Sequence, residues 1–123
     1  MKNKSLNHKI KGLDASNLKN YGNLQKLNVQ VSIGFFKEAL INFKREEFLS
    51  CIQALNKAIK YNSSEILFFL LKSFILGAFL KKIEDALKEI EKALTFDPQC
   101  RPAIKIKKFL LKAQCKEFCS IYI

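Results

Sequence analysis

The residues that could do chemistry in this chain are few and scattered. The single histidine, His8, sits in a polar stretch far in sequence from any cysteine. Four cysteines occur, Cys51, Cys100, Cys115 and Cys119. Only the last two are close enough to share a helical face, and a zinc site needs two further ligands at suitable spacing. The carboxylate pairs Glu46-Glu47 and Glu84-Asp85 fall at turns or on solvated faces, where such pairs are ordinary surface. The four glycines stand alone at 12, 22, 34 and 77, so there is no glycine-rich loop to cradle a phosphate. Cys51 lies at a packing position rather than in an electropositive cleft, which makes it a core thiol and not a nucleophile. The residue supply therefore predicts a chain that is not an enzyme and needs no cofactor or metal.

Binding remains, and charge is the first guide to it. Net charge is +11, from twenty Lys and two Arg against eleven acids. Residues 1–30 carry six Lys against one Asp, and residues 101–123 carry six basic groups against one Glu. Residues 31–100 carry ten against nine, so the body is near neutral and the excess sits on the flanks. Lys-rich, Asn-rich and Ile-rich usage is also what an AT-rich coding sequence yields. Specific contacts to bases and phosphates lean on Arg, and its scarcity weighs against nucleic acid. Residues 66–80, ILFFLLKSFILGAFL, are apolar but shorter than the roughly 20 residues a bilayer span needs, and Lys72 falls near their centre. A buried helix is the better reading, and it weighs against membrane insertion. Residues 1–12 lack the apolar core of a signal peptide, so a reduced, cytoplasmic chain without disulfides is expected.

Periodicity supplies the elements. Half of the residues are hydrophobic and glycine and proline are rare, which favours helix. A basic flexible arm is expected over 1–13 and an N-terminal helix over 14–32, with Leu18, Tyr21, Leu24, Leu27 and Val31 on one face. Ser32-Ile33-Gly34 reads as a break. Helices follow over about 34–44, 47–61, 65–80, 83–95 and 102–118. Pro98 stops the fourth of these, and Pro102 suits the first turn of the last. In 83–95, the charged residues Glu84, Asp85, Lys88, Glu89, Glu91 and Lys92 are expected to face water.

A repeat runs through these helices. Phe48, Cys51, Leu55, Ala58 and Ser63 match Ile83, Ala86, Ile90, Ala93 and Pro98, each 35 residues on. Phe35 and Ala39 match Phe69 and Ser73 at 34. The one-residue difference is expected in the turn near Lys81-Lys82, since turns tolerate insertions. Small residues at Ala39, Ser73, Ala58, Ala86 and Ala93 would let the helices approach closely at their crossings.

The stretch Ile83 to Pro98, IEDALKEIEKALTFDP, resembles the tetratricopeptide repeat family. It has that family's large apolar, Ala, large apolar, Ala and Asp-Pro positions. The earlier copy, FLSCIQALNKAIKYNSS, departs from it at Cys51 and Ser63. The first helices depart further, with Glu38 and Lys72 where the family has Leu. The resemblance covers about 33–100. It implies an all-α fold of antiparallel helix pairs stacked as a short solenoid, with repeats at 33–64 and 65–100, an N-terminal flanking helix, and a C-terminal capping helix and tail over 101–123. At 108, where a third copy would need a small residue, stands Lys108.

The resemblance further implies that the first helix of each pair lines a groove. Ile33, Phe36, Leu40 and Phe43 would come from the first pair, and Leu67, Leu70 and Phe74 from the second. These are all apolar, so carboxylate-clamp recognition of peptide tails is not expected. The expected function is a scaffold that binds a helical or extended peptide of another protein, or a second copy of itself. Residues 16–31 are a candidate intramolecular occupant. The alternative is a basic-flank binder of nucleic acid or of an anionic membrane surface.

Overall fold

A computed structural model describes the backbone of residues 15–122 and the side chains of residues 22–116. The basic arm expected at 1–13, and with it His8, lies outside the described residues. The described chain is all-helical, with no strand. Helix α1 is Ala15–Lys44, α2 is Phe48–Tyr61, and α3 is Ile66–Phe74, which continues as a π-helical turn, Ile75–Phe79. Helix α4 is Ile83–Phe96 and α5 is Arg101–Tyr122. Each packs chiefly on its neighbour in sequence: α1 on α2, α3 on α4, and α4 on α5.

The packing follows from small side chains. Ala39, Cys51, Ala58, Ser73, Ala86, Ala93 and Ala103 are fully buried. They sit beside the larger Leu55, Ile75, Ile90 and Leu110, which are equally inaccessible. Ser73 is tolerated there because its hydroxyl donates to the Leu70 carbonyl 2.9 Å away, so no buried donor is left unpaired. Two apolar clusters result. One joins Ala39, Cys51, Leu55, Ala58, Phe68 and Ile75, and the other joins Phe69, Ile83, Ile90, Ala93, Ala103 and Leu110.

The backbone repeats as the side chains do. The turn after α1 holds Glu46 at φ 60°, and the turn after the π-turn holds Lys81 at φ 58°. Neither is glycine, and the left-handed region costs such residues about 1–2 kcal/mol. Asn62 after α2 and Asp97 after α4 both take extended angles, φ −148° and −147°, and each donates its N–H to an alanine carbonyl four residues back. Every one of these matches is 35 residues apart.

Along the backbone the structure differs from the sequence reading in the second turn and at Ser32-Ile33-Gly34. The extra residue of the second copy is not in the turn. The turns 45–47 and 80–82 have equal length. The first hairpin closes with the Glu47 N–H on the Asn42 carbonyl, five residues back, whereas Lys82 reaches Leu76, six back. Leu80 bonds to Ile75 in the i to i−5 pattern, where Arg45 bonds to Ile41 in the i to i−4 pattern. The additional residue is thus absorbed inside the π-turn, the usual way a helix takes up one residue without breaking.

The break expected at Ser32-Ile33-Gly34 is also absent, and α1 runs through it. Ser32 is buried and donates to the Val29 carbonyl at 2.6 Å, and Gly34 costs a helix only about 1 kcal/mol relative to alanine. Phe35 stacks on Tyr61, the last residue of α2, with ring centroids 5.8 Å apart. Residues 15–30 therefore extend beyond the end of α2. Because they are collinear with 34–44, residues 16–31 cannot fold across their own groove, so the intramolecular occupant is excluded.

Gly77 marks the tightest approach. A Cβ there would collide with the side chain of Leu110, which α5 holds fully buried, and would also touch Ala86. Gly77→Ala should destabilise the protein by about 1–3 kcal/mol through overpacking, despite alanine's better helix propensity. Urea unfolding would measure it, and a neutral or stabilising result would show that Leu110 has room to move. Gly34→Ala, with open space around it, should be stabilising by about 0.5–1 kcal/mol.

Candidate functional site

Exposed large apolar side chains occur on every helix, more of them on α1 than on any other, and two of those on α1 have exposed counterparts at equivalent positions of α3. Ile33 is 44% exposed and Leu67, 34 residues on, is 47% exposed; Leu40 and Phe74 are 39% and 37% exposed. Phe36 and its counterpart Leu70 are both half-buried, as is Phe43. Exposure of this kind leaves four large apolar side chains in water at matched places on two helices, without a role in either core cluster.

Aromatic contacts hold the two helices side by side. Phe36 meets Phe68 at 5.2 Å between ring centroids. Toward the turn end, Phe79 gathers Phe43, Phe48 and Phe74 at 5.7, 4.4 and 5.7 Å. Such pairs contribute about 0.5–1.5 kcal/mol beyond their burial. Phe48 and Phe79 were not among the residues expected here. Phe79 reaches this place because the π-turn shifts its phase by one residue. A count of helical positions that runs straight through 75–79 misplaces it.

Of the seven residues expected to line a groove, Ile33, Leu40, Leu67 and Phe74 are exposed. Phe36 and Phe43 are half-buried under neighbouring rings, and Leu70 is half-buried against the second core cluster. The contacts Phe36–Phe68 and Phe43–Phe79–Phe74 bring the two sets onto adjoining helices.

The other side of the repeat carries the polar interactions. Lys72, in the middle of the apolar α3, is not exposed: its ammonium lies 3.4 Å from Glu89 of α4, with side-chain exposures of 16% and 11%. Glu89 was expected to face water and does not. Its place on α4 is opposite Lys72, which has nowhere else to direct its charge, so the carboxylate turns in to meet it. Lys92 joins from the exposed side at 3.4 Å. One carboxylate oxygen of Glu89, Oε1, is buried with no protein partner. Lys82, Asp85 and Lys88 rim this cleft with Asn56 of α2, so it is lined by charges of both signs.

Cys51 is fully buried, and desolvation pushes its thiol up from an ordinary 9.0 to about 11. It is therefore protonated and inert at neutral pH. Cys100 is buried, Cys115 is exposed, and all three are free thiols. Among the described residues no group of three or more His, Cys, Asp or Glu is placed to hold a metal ion. Among the same residues no helix is long and apolar enough to cross a membrane. No family model matches the chain, and no curated protein matches it.

Two outcomes check this description. Glu89→Ala should cost about 3 kcal/mol, because it strands a largely buried ammonium, and the double change Lys72→Met with Glu89→Leu should recover most of that. A loss below about 1 kcal/mol would put the pair among ordinary surface ion pairs. For Cys51, the sign follows from linkage: the unfolded chain ionises first, so the thiol's contribution is intact below pH 9 and is lost as pH rises toward about 11. Cys51→Ala should remove that part of the alkaline slope, measured as the difference between the two proteins. In the native protein at mild pH, maleimide should label Cys115 and leave Cys51 untouched.

Proposed function

We propose that this chain is a non-catalytic interaction module of tetratricopeptide-like build that accepts an apolar helix across α1 and α3. The observation that carries the reading is the matched exposure of Ile33 with Leu67 and of Leu40 with Phe74. A single exposed leucine needs no explanation, but the same positions left uncovered in both copies form one surface. The repeated caps and left-handed turns 35 residues apart support the stacked-pair build.

The occupant of that surface is the projecting part of α1 from a second copy. Residues 15–30 pass beyond the end of α2 and carry Leu24 and Leu27, which are 54% and 55% exposed. An isolated helix of that length is marginal in water, so it gains from the same contact that covers the groove. A helix laid by its apolar stripe into an apolar groove is an established mode of recognition.

Light scattering on the purified full chain should show a dimer in the micromolar range. Two variants each place charges at exposed positions and leave the cores intact: Leu40→Glu with Phe74→Glu, and Leu24→Glu with Leu27→Glu. Both should be monomeric with unchanged helical circular dichroism, their dimer affinity weakened by about two orders of magnitude. A wild type that stays monomeric, or variants that remain dimeric, overturns the assignment of the occupant.

A further inference from the structure

The positive charge of the C-terminal flank is not spread around α5. Arg101, Lys105, Lys108, Lys112 and Lys116 recur at intervals of four, three, four and four residues, and all five are exposed. They form one row about 22 Å long on the outer side of the helix. The opposite side carries Ala103 and Leu110, both fully buried against α4 and the π-turn. Lys107 stands off the row, and it is the lysine of α5 that α4 neutralises, through Glu91 at 3.2 Å. Among the described residues none of the five meets a carboxylate. Like charges four apart on a helix repel, so the row is maintained at a cost to the free protein.

Two large apolar side chains flank it. Phe109, on one side, is 47% exposed and Leu111, on the other, is 45% exposed. Cys115, also exposed, follows Leu111 by four residues and so lies on the same margin of the row. This combination decides between polyanions. A phosphate backbone would satisfy the lysines and offer nothing to Leu111. The boundary of headgroups and acyl chains offers both anionic charge to the row and an apolar layer to its margins.

We infer that the outer face of α5 is a docking surface for an anionic lipid membrane, with the five-cation row lying on the headgroups and Phe109 and Leu111 entering at its edges. The helix stays packed on α4 and rests on the surface. The contact is peripheral and electrostatic, and it is independent of the α1–α3 surface.

The test is co-sedimentation of the full chain with vesicles of phosphatidylcholine and phosphatidylserine, against vesicles of phosphatidylcholine alone. Binding is expected only to the anionic vesicles. The variant Lys105→Glu, Lys108→Glu, Lys112→Glu should lower the partition coefficient on the order of a hundredfold, at about fivefold or more per lysine. The control Lys37→Glu, Arg45→Glu, Lys60→Glu changes net charge equally at exposed sites elsewhere and should stay within a few-fold of wild type. Phe109→Ser with Leu111→Ser, at unchanged charge, should lower partition roughly tenfold. All substituted side chains are exposed, and circular dichroism verifies that each variant is folded. Equal losses in the row and control variants would mean net charge alone binds, and would overturn the assignment. So would tighter binding to a short duplex DNA that the Phe109/Leu111 variant leaves unchanged, which would make the row a nucleic-acid contact.

Discussion

Helices come together only as closely as the side chains between them permit. In this protein that limit is set by a handful of small residues, Ala39 and Ser73 on the first helices of the two pairs and Ala58 and Ala93 on the second. With a methyl or hydroxymethyl group at each contact, the backbones approach, and Leu55, Ile75, Ile90 and Leu110, all fully buried, fill the spaces on either side. Gly77 carries the same logic to its end, since Leu110 occupies the volume that any side chain there would take. The two core clusters, the contact of Phe36 with Phe68, and the uncovered positions on α1 and α3 all depend on this spacing.

Polar residues are accommodated within that spacing. Ser32 and Ser73 return their hydroxyls to carbonyls three residues back, so they behave as small apolar groups at the contact. Lys72 is the exception that demands a partner. A lysine in a helix as apolar as α3 either reaches solvent along its stem or meets a carboxylate, and Glu89 supplies the second solution. The arrangement ties the first helix of the second pair to the second by charge as well as by packing.

The helical class, the small residues at the contacts and the 35-residue match of α2 with α4 were all legible in the sequence, because each rests on local periodicity. Ala58 and Ala93 carry that signal with a fixed spacing, and both are fully buried. What escaped depended on partners distant in sequence or on backbone variants without a side-chain signature. The periodicity of α4 assigns Glu89 to the wet face, because nothing local announces Lys72. Ser32-Ile33-Gly34 has the composition of a break, yet an uncrowded Gly34 and a self-satisfied Ser32 leave the helix intact. The π-turn leaves a single trace, a change of offset from 34 to 35, and that trace does not say which residue between Ser73 and Ile83 is the added one. Phe79 was missed for this reason. Of the candidate surface, Ile33, Leu40, Leu67 and Phe74 were readable as apolar positions; the ring of phenylalanines that closes one end was not.

The matching left-handed residues Glu46 and Lys81 bear on the order of events in folding. A connection built to initiate a hairpin would place glycine or asparagine at such a position, where the conformation is populated before anything else forms. Here the unfolded chain has little inclination toward either bend, which disfavours both connections as nuclei. Each bend is expected to close only after its flanking helices have met, which places docking of the helices, rather than closure of the loops, at the kinetic barrier.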